Sequence, residues 1–526
     1  MAAERPLPAA LEAALQARDW AGLIARCTAW LQATPADHEV RFLRGVARLE
    51  QRQPVAALED LRPVAQAAPA VAAHWAQLAR AAALAQQMGE ATAAAHRVLA
   101  LAEASAQDLD TAGVVLSRAQ DHAGAVRAFQ AATTRGSDQA ARFFNLASAL
   151  KFCGRLEEAA QAYERCLQLD PRHWKVYPLL VALRSEDRGV SASAALRERL
   201  AALDAGDPEA HLHLQMALAR RHEQRGDHRA AFAAVQAAKS ALRRVQPYDP
   251  GADQALLTAA LNWRPQPGRS GETLAPVFIV GLPRSGTTLL ERMLSRHPAL
   301  GAGAERMHFP MTLHRLGQLG GDRLVSAALI ERAGRLDPQA VGSAYRAACL
   351  AETGGAERFI DKLPLNTWLA GPILEALPQA RVIALRRHPL DSCLGQFRQI
   401  FGLRFSDYRY SSDLLDCGRY WLAHERLLAH WQAVLPAGRF VCLDYEALVE
   451  DAPTQLRRLL AFCDLDWQPD CLAFADNPAP VASASAVQVR GALNREGIGR
   501  WRAYRPDLDG LIGLLRQAGV ETPEAG

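Results

Sequence analysis

Alanines 57, 91, 125 and 159 recur at intervals of 34 residues, and each is followed four positions later by Leu61, Ala95, Phe129 or Tyr163. Pro35 and Pro69 keep the same interval. A period of this length fits a helix–turn–helix unit, with small residues where the paired helices touch and a bulky residue near the end of the second helix. One such hairpin cannot bury its apolar face alone, so neighbours must stack into a solenoid with a concave surface. The clearest copy, "FFNLASALKFCGRLEEAAQAYERCLQLDP", is stopped by Pro171. Beyond it the spacing loosens, and Glu223–Leu242 reads as an irregular copy or a capping helix pair.

A chain of 526 residues exceeds one ordinary core, and its character changes after the repeats. "QPYDPGADQ" and "WRPQPGRSGET" are rich in proline and glycine and enclose a short helical stretch, "DQALLTAALN". The expected division is a helical repeat domain at 1–245, a linker at 246–275 and a second domain at 276–526. In the second domain short apolar runs, "PVFIV", "RFIDK", "RVIALRR" and "RFVCLDY", alternate with helical stretches such as "WLAGPILEAL" and "DLLDCGRYWLAHERLLAHWQAVL". Unbroken apolar strands separated by helices imply a central parallel sheet covered on both faces. The fold class is therefore an α-solenoid followed by an α/β domain, whose ligands bind at the carboxyl ends of its strands.

The first strand runs into "FIVGLPRSGTTLLERML", residues 278–294. Gly281 and Gly286 have the G-x-x-x-x-G spacing of a phosphate loop, and a hydroxyl follows at Thr288. Backbone N–H groups from Arg284 to Thr288 can converge on one anion, aided by the dipole of the helix they open. Thr287 and Thr288 add hydroxyls, and Arg284 a forked cation. Threonine stands at 287, where an NTPase carries lysine, which argues against nucleoside triphosphate chemistry. Such a loop suits a nucleotide whose single 5′-phosphate is linked to something less charged.

On these residues the chain resembles the sulfotransferases, which use 3′-phosphoadenosine 5′-phosphosulfate and release adenosine 3′,5′-bisphosphate. The resemblance covers roughly residues 276–507. With the repeats, which resemble tetratricopeptide repeats, it is most similar to bacterial proteins that join the two parts and are related to tyrosylprotein sulfotransferases. The resemblance implies that Pro283, Arg284, Ser285, Gly286, Thr287 and Thr288 hold the 5′-phosphosulfate, and that Arg387 in "RVIALRRHPLDSCLG" holds the 3′-phosphate. Where the family has serine eight residues after that arginine, this chain has Gly395, and Ser392 or a water is expected to take over the contact. Arg386 is expected to point elsewhere by strand alternation. Glu305 in "GAGAERMHF" matches the catalytic base, with His308 one turn on as the runner-up. Lys362 in "DKLPLN" matches the lysine at the leaving oxygen, and Arg284 shares that work. "SASAVQVRGALNREGIGRWRAY" matches the segment that closes over the cofactor, through Ser485, Gln488, Val489, Arg490 and Arg500. Ser485 is also a candidate for a catalytic role, Tyr445 is placed near the adenine, and Trp501 reads as core.

Composition narrows the remaining classes. Net charge is only +4, so no polycationic surface points to nucleic acid. No H-E-x-x-H or C-x-x-C pattern calls for a metal. Nine cysteines without paired spacing, and an N-terminus without a basic region before an apolar run, predict a cytoplasmic protein without a leader or membrane segment. The only lysines are Lys151, Lys175, Lys239 and Lys362, so a lysine at a strand end stands out in an arginine-biased chain. The expected acceptor is a hydroxyl on a protein, a peptide or a small molecule, with the solenoid binding a protein partner or a second copy. The alternative is a repeat-based adaptor whose transferase half is inactive, and a P-loop kinase or other NTPase stands behind it.

Overall fold

In a computed structural model the chain forms two units, Met1–Leu169 and Asp170–Gly526. The structure describes residues 8–522 except 137, 186–188, 204–206, 267–269, 351–352, 354, 403–405, 478, 482–488 and 490.

The first unit pairs its helices in the register of the repeat. His38–Glu50 packs on Pro54–Ala67, Ala72–Leu84 on Met88–Leu99, Ala106–Arg118 on His122–Arg135, and Ala140–Phe152 on Leu156–Leu169. Ala57, Ala91, Ala125 and Ala159 are fully buried on the second helices, as small contact residues must be. The bulky residue four positions on meets a small one on the first helix. A Cβ at Gly45 would lie 2.8 Å from Leu61, and one at Gly113 2.5 Å from Phe129. Each of these hairpins turns through one residue in the left-handed region, Arg52, Gln86, Gln120 or Gly154, as does the preceding pair, Ala9–Gln16 and Trp20–Ala33, through Arg18.

The second unit begins with helices, including Pro208–Gln224 and His228–Val245, before the sheet. These helices are tied to the sheet-bearing part by side-chain contacts. Lys239 Nζ donates to the Gln399 carbonyl at 2.7 Å, Arg243 pairs with Asp416 at 2.6 Å, and Phe232 lies against Phe397 at 5.8 Å between ring centres. Five parallel strands follow: β1 (Val277–Gly281), β2 (Gly301–Ala304), β3 (Phe359–Lys362), β4 (Arg381–Arg386) and β5 (Phe440–Asp444). Their spatial order is β2-β3-β1-β4-β5. All five residues of β1 and all four of β3 are buried, so both faces of the sheet centre are covered. The chain leaves β1 for one side and returns to its other side at β4, which puts the topological switch point at the carboxyl end of β1. The four apolar runs named in the sequence are strands; β2 is an additional one. Among the described residues no helix is long and apolar enough to cross a membrane.

Candidate active site

The loop after β1 is shaped by two close approaches. Gly281 has φ 139°, and a Cβ there would lie 2.5 Å from the Leu385 carbonyl of β4. Gly286 has φ 102°, and its Cβ would strike the Tyr445 ring at 2.3 Å. Only glycine fits either position. Between them Arg284 adopts φ 70°, the left-handed turn that lets successive N–H groups face one concavity. The helix Thr287–Leu294 opens there, with buried Thr287 and Thr288 as its first residues, whose N–H groups have no intrahelical acceptor. Pro283 is buried, and so is Ser285, whose Oγ has no partner among the described residues. A buried hydroxyl without a partner inside a loop of this shape fits a bound anion.

Strand register brings the acid and the base together. Ala304 of β2 stands opposite Asp361 of β3, so the next residues, Glu305 and Lys362, meet at the strand ends. The Lys362 ammonium is buried and pairs with Glu305 and, at 3.5 Å, with Glu291 of the loop helix. Burial alone would lower its pKa, but Glu291 and Glu305 outweigh that and hold it above the ordinary lysine value. Burial pushes the Glu291 carboxyl up. Glu305 itself is half-exposed. Asp361, the sequence neighbour of Lys362, is turned away: it is fully buried and accepts from Tyr345 Oη at 2.7 Å. His308 opens the helix His308–Gly317 just beyond Glu305.

A second group of side chains lies on the β4 side. Arg387 donates from Nη1 to the Arg284 carbonyl at 2.7 Å and from Nη2 to the Gly497 carbonyl. Its guanidinium covers the Tyr445 ring at 4.5 Å, while its buried Nε has no partner among the described residues. Burial, then Arg387, Arg220, Arg398 and Arg500, pull the Arg284 pKa down to about 10, leaving it charged at neutral pH. Gly395 faces this arginine; a Cβ there would sit 3.3 Å from Arg284 Cβ. Ser392 is buried one turn earlier, and its Oγ accepts from Gln396 Nε2 at 3.1 Å. Arg386 points away to Glu425 at 2.8 Å.

The closing segment is only partly described. Val489 is buried, whereas Ser485, Gln488 and Arg490 lie outside the described residues. Arg500 is 3.6 Å from Glu223. Trp501 is buried and stacks on His388 at 5.7 Å, a core position as read from sequence. Asp391 fixes the segment by accepting from the N–H groups of Gly499, at 2.7 Å, and Trp501, at 2.9 Å. Sequence reasoning missed Asp391 and Glu291, as well as Arg220, Glu223 and Arg398. The arginines gave no local signal in an arginine-rich chain, while Glu291, the fifth residue of the loop helix and one turn from Thr288, could have been found from helical spacing.

Comparison with known proteins follows the same division. Residues 276–469 match the sulfotransferase family model, and residues 140–173 match the tetratricopeptide repeat. An uncharacterised protein of Aquifex aeolicus (strain VF5) is 31% identical over 265 residues, which are 49% of this chain and 34% of that protein. Protein-tyrosine sulfotransferase A of Caenorhabditis elegans is 25% identical over 263 residues, 47% of this chain and 67% of that enzyme. The chain thus spans about a third of the first relative's length and two thirds of the second's. The solved sulfotransferase domain from the curacin biosynthetic pathway is 18% identical and covers 48% of this chain and 100% of its own, with a TM-score of 0.35.

Proposed function

We propose, from the premise that this chain belongs to the sulfotransferase family over residues 276–469 and carries tetratricopeptide repeats, that its second unit moves a sulfuryl group from 3′-phosphoadenosine 5′-phosphosulfate to an acceptor hydroxyl. The observation that carries this reading is the meeting of Glu305, Lys362 and the helix of the phosphate loop at one end of the sheet. A lysine is absent from the loop itself, and β3 delivers one beside it.

The residues that would hold the donor fit its charges. The loop from Pro283 to Thr288 takes the 5′-phosphosulfate on main-chain amides and hydroxyls, with Ser285 Oγ gaining the partner it lacks. Arg387 takes the 3′-phosphate, and the Tyr445 ring lies beside it where the adenine is to be held. Ser485, Gln488, Val489, Arg490 and Arg500 belong to the segment that closes on the nucleotide. The donor supplies the sulfuryl group and departs as adenosine 3′,5′-bisphosphate. Glu305 takes the acceptor's proton as that oxygen bonds to sulfur. An ammonium carries three donors; Glu305 and Glu291 engage two of the Lys362 protons, and the third is available for charge on the leaving oxygen. Arg284 adds a second cation there.

The acceptor is a protein, peptide or small-molecule hydroxyl, with protein tyrosine favoured by the relatives' names. The tetratricopeptide repeats support recruitment of a protein partner. The test is mass spectrometry of a cell lysate incubated with isotope-labelled donor. Labelled sulfate esters are expected with the wild type and a loss of about 10²- to 10⁴-fold in rate with Glu305→Ala. Equal labelling by both proteins would remove Glu305 from the reaction.

A further inference from the structure

The helix Pro208–Gln224 precedes residues 276–469, yet two of its side chains join the arginines around Arg284. Glu223 pairs with Arg398 and, at 3.6 Å, with Arg500, and it accepts from Tyr504 Oη. Arg220, the other contributor from this helix, lies close enough for its charge to act on Arg284. Four guanidiniums, from Arg220, Arg387, Arg398 and Arg500, are therefore gathered near that of Arg284, and the one carboxylate among them, Glu223, is ion-paired with Arg398 and Arg500. Glu223 neutralises one of these five charges, and a dianion would neutralise two more.

Arg398 has a defined place in this group. It stands three residues after Gly395, so both lie on one side of the helix Pro389–Phe397 and its cap. Gly395 faces Arg284 with a bare backbone, at the position where a serine would contact a 3′-phosphate. Ser392, the other candidate, is buried and bonded to Gln396. Arg398 is held over the Tyr504 ring at 5.3 Å, with Tyr504 and Glu223 fixing it from behind. A guanidinium has five donors, so an arginine anchored through one edge still presents the other.

We propose that Arg398 binds the nucleotide's 3′-phosphate in place of the serine that Gly395 lacks, and that Glu223 is the positioning residue that aims Arg398 and Arg500 at it. This inference rests on the sulfotransferase reading. It makes the helix Pro208–Gln224 part of the nucleotide site, so 3′-phosphate recognition depends on a segment outside the matched transferase region.

The test is calorimetric titration of the full chain with adenosine 3′,5′-bisphosphate and, separately, with adenosine 5′-monophosphate. The wild type is expected to prefer the bisphosphate strongly. Arg398→Ala is expected to weaken the bisphosphate about 10- to 100-fold and leave the monophosphate unchanged, because one charge-assisted contact is lost. Glu223→Ala is expected to reduce the same preference by a smaller factor, and Arg398→Lys to fall between Ala and wild type. Should Arg398→Ala fail to fold by circular dichroism, Arg398→Gln carries the same comparison. Equal weakening of both nucleotides, or of neither, by the Arg398 variants would overturn the proposal while leaving the sulfotransferase reading standing. Failure of the wild type to bind either nucleotide would overturn that reading and this one with it.

Discussion

Lys362 is the residue on which the site's electrostatics turn. It is buried between two carboxylates, one of which, Glu291, is only 14% exposed. Removing the ammonium leaves Glu291 without its countercharge, so Lys362→Met is expected to destabilise the chain by about 3–5 kcal/mol at neutral pH. The pH dependence has a definite sign. The folded-state pKa of Glu291 is raised, so its contribution is fully present below the unfolded carboxylate value and is lost as pH rises through the folded one. The deficit of Lys362→Met should therefore shrink on acidification, in urea melts of both proteins across the acidic range; a deficit independent of pH would mean that Glu291 is not the group left stranded. Much of this constellation was legible in sequence, but unevenly. A strand-end lysine in an arginine-biased chain was a signal, and a resemblance singled out Glu305. Their direct pairing followed only from the register of β2 on β3. Glu223 and Arg398 were not legible, because their meeting joins residues 175 positions apart in the chain.

At the scale of elements, the phosphate loop is the part that sequence specified most fully. Both glycines sit at positive φ against a neighbouring strand or ring, which is the condition that excludes any other residue. Gly286→Ala would drive a methyl into Tyr445 and force a strained φ. It is expected to lower stability by about 1–3 kcal/mol and to abolish measurable binding of adenosine 3′,5′-bisphosphate, read by thermal melts and calorimetry. Retained binding would show that the loop's shape is not what holds the ligand. The solenoid was legible through its small and bulky positions, whereas its left-handed turns were not. Arg18, Arg52, Gln86 and Gln120 occupy a conformation for which sequence reading seeks glycine, and only Gly154 announces it. β2 escaped for the opposite reason: "GAGA" has none of the branched or aromatic side chains that mark a strand.

For the whole molecule, composition placed a boundary at the proline-rich stretch near residue 246, while packing divides the chain after Leu169. The helices between those points carry buried Lys239 and Phe232 and half-exposed Arg243, all engaged with residues beyond 390. A chain starting at residue 170 is therefore expected to fold and bind nucleotide as the full chain does. One starting at 246 exposes those contacts and loses Glu223; it is expected to bind at least about tenfold more weakly or not to fold. Equal behaviour of the two truncations would return the boundary to the proline-rich stretch. What the second unit grips decides what the whole molecule does. Its most direct test is calorimetric titration of the wild-type chain with adenosine 3′,5′-bisphosphate, without metal, beside ATP with magnesium. Saturable, metal-independent binding of the bisphosphate with little or none of ATP is the expected result; ATP bound as well or better, or a bisphosphate that does not bind, would contradict it.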